Sequence, residues 1–173
     1  MDGSKQWYVL YTQAGQEKKV REILTHRKIE NYYPLNKIVW QWNGRKTIAH
    51  EPLFSSYVFI RISKNQLSHL KQISGVINFV YWLNKPAVIS EGEIEMIKRI
   101  LNGHTNIKLE KTFKIPGMEN RGQVFSTKNK TVKITLPSLG YSMIAGAETE
   151  NEEALIRTIA AQTGLAYPLY AIK

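Results

Sequence analysis

The chain has 173 residues, no cysteine, and 24 Lys and Arg against 14 Asp and Glu, a formal net charge of +10. The missing cysteines exclude disulfide staples, thiolate metal sites and cysteine nucleophiles, and 43% hydrophobic with 22% charged residues excludes disorder throughout. No apolar run reaches the ~20 residues that cross a bilayer, and residues 1–6 carry no secretory signal, so a cytoplasmic protein away from membranes is expected.

The charge is concentrated. Residues 16–46 hold eight basic and three acidic side chains, and a basic surface of this kind favours polyanions, above all nucleic acid, through phosphate contacts and counterion release.

In chain order, residues 7–12 (Trp-Tyr-Val-Leu-Tyr-Thr) form a strand by composition. After a turn at Ala14-Gly15, residues 16–28 predict a helix whose stripe is Val20, Ile23, Leu24 and Arg27, at spacings of three and four. Lys18, Lys19, Glu22 and His26 fall on its outer face, with Arg27 at the margin. Such charges are usually plain solvation. Within this basic stretch they make the helix the candidate for touching a phosphate backbone.

Asn31 and Pro34 end the helical region. Residues 36–42 alternate, with Ile38, Trp40 and Trp42 on one face and Lys37, Val39 and Gln41 on the other. Asn43-Gly44 marks a tight hairpin turn, so 45–50 is the returning strand and Arg45 and Lys46 lie beside the tip. The three large apolar side chains are either core or a second contact surface.

Pro52 and two serines precede the strand 57–62, Tyr-Val-Phe-Ile-Arg-Ile. Val58, Ile60 and Ile62 point one way and read as core, while Tyr57, Phe59 and Arg61 point the other and suit a recognition surface. The alternative is a strand buried on both faces. Residues 64–72 predict a short helix with Leu67, Leu70 and Ile73 inward, 76–83 a strand, and 84–86 a loop. Ser90 caps a helix with Glu91 and Glu93 in its first turn, Lys98 and Arg99 in its last, and Ile94, Ile97 and Leu101 as its stripe, ended by Gly103.

Beyond 103–110, a polar linker, the character changes to short strands at 112–115, 122–125, 131–136 and 140–145, which suggest a small barrel. A helix is expected at 152–162, followed by an apolar run at 165–170. The class is α+β, an antiparallel sheet with flanking helices followed by a small β-barrel and a helical tail.

Catalytic chemistry is sparse. His26, His50, His69 and His104 are dispersed, no phosphate-cradling loop or nucleophile motif is present, and Glu91, Glu93 and Glu95 read as helix-start and solvent-face residues. The expectation is a binding protein, with no enzyme activity, metal or cofactor. One such reading is an RNA-binding module, with Tyr57 and Phe59 stacking on bases as the aromatic strand of an RRM does.

The motifs Trp7-Tyr8-Val9-Leu10-Tyr11, Gly15-Gln16, Gly44-Arg45-Lys46, Glu51-Pro52-Leu53-Phe54, Tyr57-Val58-Phe59, Gly75-Val76, Phe79-Val80 and Pro86-Ala87 come in an order and spacing that resembles the NusG family of transcription elongation factors. The likeness is specifically to its specialised paralogues, such as RfaH and the UpxY-type antiterminators. It implies an NGN domain over residues 5–102, a linker at 103–110, a KOW-like barrel at 111–148 and a helical tail at 149–173. Arg121-Gly122-Gln123-Val124 is similar to the end of the KOW glycine motif.

By the same resemblance, Phe54, Tyr57 and Phe59, with Ile94 and Ile97, would dock on the RNA polymerase clamp helices. Lys18, Lys19, His26, Arg27, Arg45 and Lys46 would touch upstream or non-template DNA, giving an antitermination factor that keeps the polymerase elongating. Rho or a ribosomal protein is the family's partner for the second domain. The RfaH-like His-Thr-Thr-Thr run is replaced by Gln66-Leu67-Ser68-His69, and Ser74 stands where RfaH-like proteins carry an arginine, so sequence-specific DNA reading is not carried over.

Overall fold

The computed structural model describes residues 3–112, 124–127 and 131–146. The elements begin with β1 (Gln6–Thr12), α1 (Glu17–His26), β2 (Glu30–Tyr32), β3 (Leu35–Trp42), β4 (Arg45–Pro52) and β5 (Tyr57–Ile62). A 3₁₀ turn (Lys64–Gln66) runs into α2 (Leu67–Leu70), then come β6 (Val76–Phe79), β7 (Tyr81–Trp82), β8 (Lys85–Pro86), β9 (Val88–Ile89) and α3 (Glu91–Gly103). The remaining strands are β10 (Lys108–Lys111), β11 (Val124–Thr127), β12 (Thr131–Leu136) and β13 (Tyr141–Gly146). They fall into two compact units, Met1–Pro34 with Phe54–Ser90, and Leu35–Leu53 with Glu91–Lys173.

The first unit is an antiparallel sheet in the order β2-β5-β1-β6, with β9 also paired to β1. β1 and β5 pair along their whole length, from Gln6 opposite Ile62 to Tyr11 opposite Tyr57. Because side chains alternate, Tyr8 and Leu10 share a face with Val58, Ile60 and Ile62. That face joins Val20 and Leu24 of α1, Leu70 of α2, Ile73 and Phe79 in one buried core. The expected aliphatic face of β5 is therefore the core face, as is the Val20–Leu24 stripe of α1. Arg27 is not part of that stripe: it is exposed and caps the helix end, its N–H donating to the Ile23 carbonyl at 3.0 Å.

Two backbone positions set the turns around this sheet. Gly75, at φ +90, leads into β6, and a Cβ there would lie 3.0 Å from Val20 Cγ2. Ser56, at φ 62, immediately precedes β5; its N–H donates to Glu17 Oε1 at 2.8 Å, and its carbonyl accepts the Thr12 N–H at 2.8 Å. The carboxylate that opens α1 thus secures the entry to β5.

The single strand expected at 76–83 is split into β6 and β7. Asn78 turns its side chain back to accept the Phe79 N–H at 2.9 Å, and Leu83 and Asn84, both at positive φ, make β7 and β8 a hairpin of their own. Strands β2 and β9 are new relative to the sequence reading.

The second unit contains the two-stranded β3–β4 ribbon, α3 and an antiparallel sheet in the order β10-β13-β12-β11. In that sheet Ile134, Leu136, Met143 and Ala145 lie on one buried face, by the pairing of Ile134 with Met143. This is the small β unit expected after the linker, but its first described strand, Lys108–Lys111, begins within the predicted linker at 103–110. Lys108–Lys111 is polar apart from Leu109, and it becomes a strand because its backbone pairs with β13. Residues 113–115, the turn at 116–120 and the tail at 149–173 lie outside the described residues.

The root of the ribbon is held by two asparagines. The buried Asn36 side chain donates to the Ile107 carbonyl at 2.7 Å and accepts the Ile107 N–H at 3.1 Å. Asn106 accepts the Val39 N–H through Oδ1 at 2.8 Å and donates its own N–H to the Lys37 carbonyl at 2.9 Å. Glu93 corrects an expectation. Instead of facing solvent it is buried, accepting the Ser138 N–H at 2.9 Å and the Ser138 hydroxyl at 2.5 Å. A buried carboxylate needs such donors to offset its desolvation.

Candidate polymerase- and nucleic-acid-binding surfaces

The structure brings Phe54, Tyr57 and Phe59 together in the first unit. Phe54 stacks on Tyr57 with ring centroids 6.1 Å apart and meets Phe59 edge-on at 5.7 Å. Tyr32 of β2 adds a fourth ring, 6.2 Å from Phe59, and Tyr11 of β1 a fifth, edge-on to Tyr57 at 6.3 Å. Antiparallel pairing explains the last contact, since Tyr11 lies directly opposite Tyr57 and so shares its face. The sequence analysis missed Tyr11 and Tyr32. Period two on β1, which puts Trp7, Val9 and Tyr11 on one side, is the signal that would have found Tyr11.

Exposure divides this cluster. Phe59 is 0% exposed and Phe54 3%, while Tyr57 is half-buried and Tyr11 43% exposed. The expectation that Tyr57, Phe59 and Arg61 form one open recognition face is thus corrected. Phe59 is sealed between Tyr32 and Phe54, and Arg61 pairs with Glu30 of the neighbouring strand at 3.6 Å. A base stacks on the face of a ring, so the RNA-module reading built on Tyr57 and Phe59 loses one of its two platforms. Burial also pushes the Tyr32 phenol well above its ordinary pKa. Ile94 and Ile97 belong to the second unit and are fully buried, offering no side-chain surface to a partner.

The cations split between the units in the same way. Lys18, Lys19, His26 and Arg27 are exposed on α1 and its C-cap, together with Arg21 and Lys28, which the sequence analysis did not single out. Arg45 and Lys46 are exposed at the start of β4 in the second unit. Among the described residues none of these eight forms an ion pair. The β7–β8 hairpin carries further exposed rings, Tyr81 and Trp82, with the Lys71 ammonium 5.6 Å from the Tyr81 ring centre.

Among the described residues no group of three or more His, Asp or Glu is placed to hold a metal ion, and no helix is long and apolar enough to cross a membrane. Antiparallel sheets with few helices, a ring cluster and an exposed basic helix define a mixed α+β chain. The chain belongs to the NusG family: the family model described as "Transcription termination factor nusG" matches residues 5–98.

Curated relatives carry the name "Transcription termination/antitermination protein NusG". The protein of Neisseria meningitidis serogroup B is 35% identical over 106 residues, covering 54% of this chain and 60% of that protein. That of Rickettsia conorii is 31% identical over 104 residues, covering 54% of each. The matched region thus spans little more than half the length of these relatives. A solved chain described as "Domain interaction in Thermotoga maritima NusG" is similar at 16% identity and a TM-score of 0.47, covering 83% of this chain and 93% of that one.

Proposed function

We propose that this chain is a transcription elongation and antitermination factor of the specialised NusG type. It binds the clamp helices of RNA polymerase and nearby DNA in the cytoplasm, and it performs no catalysis of its own. The observation that carries this reading is the family match over residues 5–98, which contains both the aromatic cluster and the basic helix α1. The proposed docking surface is the solvent-facing part of the cluster, Tyr11 and Tyr57, backed by Phe54 and Phe59. Paired rings over a desolvated base are the composition of an interface hot spot.

Lys18, Lys19, His26, Arg27, Arg45 and Lys46 are the proposed DNA contacts, through phosphates rather than base edges. In this reading residues 5–102 are an NGN domain, and a KOW-like domain follows with β10 as its first strand. A ribosomal protein or Rho is the proposed class of partner for that second domain.

The test is binding to a clamp-helix fragment of the polymerase's largest subunit. Tyr11→Ala with Tyr57→Ala should weaken it about tenfold or more while circular dichroism stays unchanged. Undiminished binding by the folded double variant would overturn the docking surface.

A further inference from the structure

The β3–β4 ribbon carries two indoles that no core claims. Trp40 is 52% and Trp42 78% exposed. Asn43 and Gly44, at φ 46 and 73, close the strands in a two-residue turn, and Asn36 ties their root to Ile107. The face that carries the indoles is thus fixed at both ends. Leaving large rings in water forgoes the gain of burying them.

Pairing sorts the ribbon into two unlike faces. Trp42 lies opposite Arg45, Trp40 opposite Thr47, Ile38 opposite Ala49 and Asn36 opposite Glu51, so these eight residues share one face. The other face holds Lys37 opposite His50, Val39 opposite Ile48 and Gln41 opposite Lys46. That second face has cations and no carboxylate, so it repels a copy of itself. The indole face has one exposed charge of each sign, Arg45 beside the tip and Glu51 at the root.

Six residues of strand separate Arg45 from Glu51, about 20 Å, so the two charges cannot meet within one ribbon. A second copy, turned end over end about a two-fold axis across the strands, lays Arg45 of each ribbon over Glu51 of the other. The same rotation lays Trp40 over Ile38 of the partner copy and Thr47 over Ala49 of the partner copy. A surface that complements itself under rotation is the requirement of an isologous contact, and Trp and Arg are residues such contacts favour.

We propose that the Trp40–Trp42 face of the ribbon is a self-association surface. Two copies of this chain pack ribbon against ribbon, antiparallel, with Arg45 of each paired to Glu51 of the other. The face is two strands wide and about 27 Å long, well short of a standard interface of about 800 Å² a side. The Kd therefore falls at about 10–100 µM, and dilute solutions hold the monomer. Pairing withdraws Arg45 from the DNA contact proposed above, while Lys46, on the opposite face, stays in solvent.

The test is sedimentation equilibrium of the full chain from about 1 to 300 µM. The mass should rise from monomer towards dimer. Trp40→Ala with Trp42→Ala should raise the Kd about tenfold or more while the thermal unfolding midpoint of the dilute protein stays unchanged. Arg45→Glu alone and Glu51→Arg alone should each raise it about fivefold or more, since each sets like charges against one another twice per dimer. The two reversals combined in one chain should restore it.

A monomer mass at every concentration, or a Kd unmoved by the Trp substitutions, would overturn the surface. Single reversals without effect, or a double reversal as weak as the singles, would overturn the antiparallel packing. Acrylamide quenching distinguishes the other occupants. The dilute parent chain should be quenched more than the double Trp variant; equal quenching would mean that another segment of this chain covers the indoles. Protection of a monomeric chain by oligo-dT would give the face to nucleic acid. Either result would overturn the dimer.

Discussion

The ring cluster on β5 and the indoles on β3 are written alike: large aromatic residues at every second position, with a cation close by. One is Tyr57 and Phe59 with Arg61, the other Trp40 and Trp42 with Arg45. They meet opposite fates. Phe59 is sealed by Tyr32 and Phe54, and Arg61 pairs with Glu30. Trp42 stands in solvent, on a ribbon of only two strands. Alternation in a strand sorts side chains onto two faces, but cover comes from other elements. β5 has strands on both sides and rings arriving from β2 and the preceding turn, whereas the outer ribbon has only its partner strand.

Substitutions can break this comparison. The largest effect should come from Phe59→Ala, which opens a cavity beside the Tyr32 and Phe54 rings and should cost about 3–5 kcal/mol in urea unfolding. A loss below about 1 kcal/mol would mean that the cluster is not packed as described. At the root of the ribbon, Asn36→Ala should cost about 2–3 kcal/mol, because it strands the buried N–H and C=O of Ile107. A neutral result would place the ribbon's anchorage elsewhere.

The sealed side also has a pH signature. The folded-state pKa of Tyr32 is raised by burial, so the folded form holds its proton where the unfolded chain releases it. This contribution is complete below the ordinary phenol pKa of about 10 and is lost as pH rises towards the higher folded value. Tyr32→Phe should flatten part of the alkaline fall in stability, and an identical fall in the variant would argue against its burial. The smallest effect on stability belongs to the open side. Trp42→Ala should change it by no more than about 0.5 kcal/mol, and a larger loss in urea unfolding would mean that the indole is covered.

Much of the fold was legible wherever a pattern was long enough to be local. β1, β5, α1, α3 and the Asn43-Gly44 hairpin follow from periodicity and turn chemistry. β2, β9 and β10 did not, because runs of only two to four residues are too short to show a period and become strands only when a neighbour offers its backbone. The candidate site was half legible. Phe54, Tyr57 and Phe59 do converge, but the burial of Phe59 depends on Tyr32, far away in sequence, and the pairing of Arg61 depends on β2. Glu93 misled for the same reason: a first-turn glutamate normally faces solvent, and donors from the distant Ser138 help make burial tolerable.

The most direct measurement of the functional account is single-round elongation by purified RNA polymerase across a terminator, with and without this chain. The account predicts increased read-through that disappears with Tyr11→Ala and Tyr57→Ala. Read-through that is unchanged or reduced by the parent chain would contradict it.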